Sequence, residues 1–264
     1  MTINRLAFAL LSVAAVAPIA SAQHSDILLR SDGTRVLIGA ASEIGEPEES
    51  FDLETNVFEG VFIPNGSMIP NTPDLVRDEP GFFSSPTATV GLDLPANADV
   101  SVAFQPFALP SGVDGVFFWD GQSAEPEFEP LSTAQPSVTF SLGDSPFGAT
   151  EADSSIDEHP DFGLFGPAKD GAYLISLTAT VDGLDASEPF YMVWFVDQLI
   201  TNEDAAESLE EAFEAFEMGG PEPMLGTKSV AFFEEAVEFA EGIPEPSTVL
   251  LLAAAMMTRV ATRR

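Results

Sequence analysis

Tyr173-Leu174-Ile175-Ser176-Leu177-Thr178-Ala179-Thr180-Val181 and, beyond Asp182-Gly183, Pro189-Phe190-Tyr191-Met192-Val193-Trp194-Phe195-Val196 decide the fold class. Both runs are dense in Val, Ile, Thr and aromatic residues, the types that suit a pleated sheet surface, and Asp-Gly supplies a turn between them.

Shorter segments repeat the theme. Residues 99–107 alternate, with Val100, Val102 and Phe104 on one face and Ser101, Ala103 and Gln105 on the other. Val116-Phe117-Phe118-Trp119, bounded by Gly115 and Asp120-Gly121, reads as a short buried strand, and residues 137–142 alternate again. Near the start, Ile27-Leu28-Leu29-Arg30-Ser31 and Thr34-Arg35-Val36-Leu37-Ile38 flank Asp32-Gly33, which predicts a hairpin turning at those two residues. A strand is expected around residues 57–63. Residues 64–95 are so interrupted by proline that they read as a long ordered loop with short extended pieces. Many short strands between Gly and Pro turns predict an all-β protein, with a β-sandwich or jelly-roll-like core over 23–200.

After residue 200 the period changes. Ala205, Leu209, Ala212, Phe213 and Phe216 form one stripe of a helix capped by Thr201 or Asn202 and ended by Gly219-Gly220-Pro221. A second helix is expected over 229–241, capped by Thr227, with Val230, Phe233, Val237 and Ala240 facing inward. Together they make a helical appendage over 201–242 whose default role is packing on the β core.

Composition narrows the partners. Forty-three acidic residues stand against nine basic ones. Arg5, Arg259, Arg263 and Arg264 lie at the ends, leaving Arg30, Arg35, Arg77, Lys169 and Lys228 for the body. So anionic a surface repels phosphate backbones and anionic headgroups; nucleic acid is excluded and cations are the natural counterparts. The chain has no cysteine and twenty-two phenylalanines, so it is held by apolar burial, with Phe the main filler, and not by disulfides.

Both ends carry address signals. Asn4-Arg5, an apolar run over 6–17 and Ala20-Ser21-Ala22 make a signal peptide (1–22) for signal peptidase, with cleavage after Ala22 and a mature chain starting at Gln23. At the other end (243–264), Pro244-Glu245-Pro246 precedes an apolar run over 249–257 and then Arg259, Arg263 and Arg264. The uncharged run is about ten residues, roughly 15 Å as a helix against a hydrocarbon core of about 30 Å, which suits transient membrane contact. This tripartite tail resembles the PEP-CTERM sorting signal of exported bacterial proteins. The resemblance implies recognition and processing near Pro244, Glu245 and Pro246 by a membrane-embedded exosortase, and delivery to the cell envelope, cell surface or extracellular matrix.

The body is also similar, in order along the chain, to a group of exported PEP-CTERM proteins without an assigned activity. The landmarks are His24-Ser25-Asp26-Ile27, Glu79-Pro80-Gly81-Phe82, Phe118-Trp119-Asp120-Gly121, Gly171-Ala172-Tyr173-Leu174 and Pro189-Phe190-Tyr191. In that group a His-x-His precedes the Tyr-Leu strand; the matching stretch here is Asp157-Glu158-His159, so one histidine is replaced.

Only His24 and His159 supply imidazole in this chain, and both sit beside carboxylates. His24 and Asp26 would share a strand face, and Asp157 lies two residues before His159. Convergence of the two segments would give a ligand set for zinc, copper, manganese or iron; otherwise both are solvent-exposed loop histidines. Asp32, Asp93 and Asp99 are less specific oxygen donors. No nucleophile elbow, phosphate-binding glycine loop or paired-histidine zinc helix is present, and no enzymatic activity is expected. The leading expectation is a non-enzymatic, tail-sorted envelope protein. The alternatives are a divalent-metal module using His24 and His159, and a carbohydrate-binding domain presenting Trp119 or Trp194 to sugar rings.

Overall fold

Gly171–Val181 is the strand around which the other elements are arranged. In the computed structural model, which describes residues 25–42, 50–67, 69, 71–217, 219–221, 224–225 and 228–243, it pairs along one side with Phe190–Val196 (Gly171↔Val196 to Leu177↔Phe190). Along its other side lie Val116–Trp119 and Asp99–Phe104, end to end. Val57–Val61, Glu129–Pro130 and Gly148–Ala149 complete a seven-stranded sheet. The expected signal peptide, His24 and the tail from Pro244 onward lie outside the described residues.

The two defining runs are buried almost without a break because both faces of this sheet are covered. On one face Tyr173, Ile175, Leu177, Phe190, Met192 and Trp194 meet Ile27, Leu29 and Val36 of a five-stranded sheet and Phe162 and Leu164 of a four-stranded one. On the other, Leu174, Val193 and Phe195 meet Leu209 and Phe213 of the Glu203–Glu217 helix and Phe232, Phe233 and Ala236 of the Val230–Glu241 helix. Phenylalanine fills the core as expected. Phe62 stacks on Trp194 with ring centres 4.6 Å apart, and Phe213 on Phe233 at 4.8 Å. The chain is thus mostly β, in several sheets, with three small helices among the described residues.

Local chemistry sets the ends of these elements. Asn202 caps the first long helix, its Oδ1 accepting from Ala205 N–H at 2.9 Å. Gly219, at φ +87°, closes it, its N–H donating to Phe216 O. The second long helix is capped by Ser229, whose Oγ accepts from Phe232 N–H; Thr227, the expected cap, lies outside the described residues. The short Leu131–Ala134 helix has no sequence counterpart above. Asp182-Gly183 does turn, with Leu184 N–H donating to Val181 O, although the two long strands join through a longer connection.

The hairpin at the start also forms, with a shifted turn. Ser31 pairs with Val36, and Asp32 N–H donates to Arg35 O, so the central residues are Gly33-Thr34 and not Asp32-Gly33. The Asp32 carboxylate accepts from the N–H groups of both Thr34 and Arg35 at 2.8 Å and closes the turn from its side chain. One part of the expected loop has a larger role. Phe82–Ser84 is an internal strand of the five-stranded sheet, parallel to Ser25–Ser31 and antiparallel to Ile156–Glu158, in the order Ile156–Glu158, Phe82–Ser84, Ser25–Ser31, Val36–Ser42, Ser50–Asp52.

Candidate metal centre

Alternation in three strands of the five-stranded sheet puts the candidate ligands on one face. Ile27, Phe82 and Ile156 face the core, so their odd-numbered or even-numbered neighbours Asp26, Gly81 and Asp157 face the other way. His159, two residues beyond Asp157, keeps to that same face. Ile27 N–H donates to Gly81 O, and Gly81 N–H donates to Asp26 Oδ1, each at 2.9 Å. The pair of bonds fixes the Asp26 carboxylate against the Glu79-Pro80-Gly81 turn.

Gly81 then decides where His159 goes. A Cβ at residue 81 would stand 2.6–2.8 Å from three atoms of the His159 ring, closer than real contacts allow. Only glycine lets the imidazole lie over this backbone and reach Asp26 from the far side of the intervening strand. One ligand atom each from Asp26, Asp157 and His159 consequently fall within 4.8 Å of one another, and His159 Nε2 lies 3.5 Å from Asp157 Oδ1. A tetrahedral ion with bonds of about 2.0–2.1 Å holds its ligands about 3.3 Å apart, so small side-chain rotations close the set.

The electrostatics favour a cation. Burial pushes the Asp26 carboxyl above its ordinary range; the Gly81 N–H and His159 pull it back, while Asp157 and Glu79 push it further up. Glu79 itself is bonded to the buried Arg77 at 3.1 Å. Asp157 is 64 % exposed and His159 39 %, so solvent reaches the cluster from one side. A cavity of about 230 Å³, lined by Phe83, Ser84, Glu151, Ser155, Asp157 and Glu158, opens beside the same edge strand.

Of the four ligands expected from the sequence, Asp26, Asp157 and His159 meet, while His24 lies outside the described residues. So do Ala20, Ala22 and Gln23 of the cleavage site and Pro244, Glu245 and Pro246 of the sorting signal. Glu158 turns away, its side chain lying over Gly148. Among the other donors, Asp32 is engaged in its turn and Asp93 pairs with Arg30 at 2.9 Å. Trp119 and Trp194 are 2 % and 0 % exposed, so neither offers a ring face to a sugar. Gly81 was missed by sequence reasoning, although Glu79-Pro80-Gly81-Phe82 stood among the landmarks and was the available signal.

No helix among the described residues is long and apolar enough to cross a membrane. No protein-family model, curated protein or solved structure matches this chain.

Proposed function

We propose that this is an exported, non-enzymatic protein of the cell envelope or extracellular matrix whose β-rich body binds a divalent cation through Asp26, Asp157 and His159. One observation carries the binding reading: an imidazole and two carboxylates from distant parts of the chain converge across a glycine. An anionic body supports it, because cations are concentrated around it.

Delivery rests on the ends of the sequence. Signal peptidase would release the body at Gln23, and the PEP-CTERM-like tail would hold it briefly at the membrane for exosortase processing near Pro244-Glu245-Pro246. The Val230–Glu241 helix is capped at Gly242, directly before that motif, so the processing site follows the folded body without a spacer domain. We read the packing of the five- and seven-stranded sheets around a shared core as a β-sandwich or jelly-roll-like arrangement.

Two measurements test this reading. Equilibrium dialysis with elemental analysis of the exported protein is expected to give one divalent ion per chain, and none in an Asp26→Asn/His159→Gln double variant. Mass spectrometry of the same material is expected to find it starting at Gln23 and lacking the apolar tail; a tail retained past Thr248 contradicts processing.

A further inference from the structure

The candidate ligands do not belong to neighbouring strands. In the sheet order the Ile156–Glu158 edge strand and the Ser25–Ser31 strand are separated by Phe82–Ser84, so no backbone hydrogen bond joins them. What joins them is the row across Gly81, where the middle chain has no side chain.

The joints in this part of the sheet are short. Ser25–Ser31 and Phe82–Ser84 share two paired positions, and Phe82–Ser84 and Ile156–Glu158 share three. By contrast, seven positions join Ser25–Ser31 to Val36–Ser42. The cluster therefore sits at two of the three short joints of this sheet, and a chain without cysteine has no disulfide to reinforce them.

The ligand set also selects the ion. Calcium takes six to eight oxygens and magnesium keeps near-octahedral oxygen coordination with several waters, whereas imidazole suits first-row transition ions. One nitrogen and two carboxylates, on a face open to water, match an ion of the zinc or manganese kind with solvent completing its coordination.

We propose that the cluster holds a first-row divalent transition-metal ion and uses it as a clasp, tying the first strand of the body to the edge strand Ile156–Glu158 across Gly81. The proposal rests on the cation-binding reading above and adds the ion's class and its role. An ion that binds only the folded state, where these distant segments meet, stabilises that state by mass action.

The test uses metal-free exported protein loaded with Zn²⁺, Mn²⁺ or Ca²⁺, read by Tm, binding stoichiometry and amide exchange at Ile27 and Gly81. Zn²⁺ at about 100 times its Kd is expected to raise Tm by roughly 5–10 °C and to slow exchange at both amides, while Ca²⁺ does neither. Asp26→Asn keeps an acceptor for the Gly81 N–H but lacks the charge, and is expected to abolish both effects with an unchanged far-UV spectrum. Zinc bound with no change in Tm or exchange overturns the clasp and leaves cation binding standing. Stabilisation by Ca²⁺ but not by Zn²⁺ or Mn²⁺ overturns the ion class, and failure of all three ions to bind overturns both readings.

Discussion

At Gly81 a missing side chain is the working part of the site. Its N–H orients Asp26, and its bare Cα gives His159 room to cross the strand. Gly81→Ala keeps the N–H and displaces the ring, so metal affinity is expected to fall by roughly 10–100-fold, the range typical when the groups that orient ligands are disturbed. Calorimetric titration of the variant checks this, and unchanged affinity would show that the ring does not need that space. Asp32 gives the pH-dependent case. The N–H groups of Arg35 and Thr34 hold its carboxylate below the usual Asp range. A depressed acid stabilises the fold above its unfolded value, about 3.9, and that stability is lost as pH falls through the folded value. The Tm difference between the wild type and Asp32→Ala is therefore expected above pH ~4 and should close in more acidic solution. Single residues were unevenly legible. His159 and Asp157 stood out because imidazole is scarce in this chain, whereas nothing in a local pattern distinguishes Gly81 from a turn glycine. Its role depends on a register with residues far away in sequence.

Elements with strong periodicity were the legible ones. Asp99–Phe104 and the helix from Glu203 carry their patterns openly, because each buries a face whose spacing is set by its own backbone. Phe82–Ser84 does not. Three residues amid prolines and turns are too few for a period, and they become a strand only because Ser25–Ser31 and Ile156–Glu158 pair on either side. The shift of the first turn to Gly33-Thr34 has a similar cause: the Asp32 side chain satisfies backbone donors that a two-residue Asp-Gly turn would leave to the main chain. The helical layer depends on Phe233, which is 1 % exposed, stacks on Phe213 and meets Phe195 of the sheet. Phe233→Ala is expected to cost about 3–5 kcal/mol, measured as a lower denaturant midpoint; a loss under 1 kcal/mol would mean that the helices contribute little to the stability of the sheet.

On the scale of the whole molecule, a strongly acidic, cysteine-free body is closed by apolar layers on both faces of its central sheet. The all-β character was legible from strand-sized runs between turns. The layering was not, since continuous hydrophobicity in residues 173–181 and 189–196 does not say what covers each face. The site needed both kinds of information: scarce residue types nominated it, and the sheet order assembled it. The most direct measurement is an anomalous difference map, recorded at the zinc edge, from crystals of the protein grown with Zn²⁺. The expected result is a single peak about 2.0–2.2 Å from one oxygen each of Asp26 and Asp157 and one ring nitrogen of His159. A peak held by other residues, or none at saturating zinc, would contradict it.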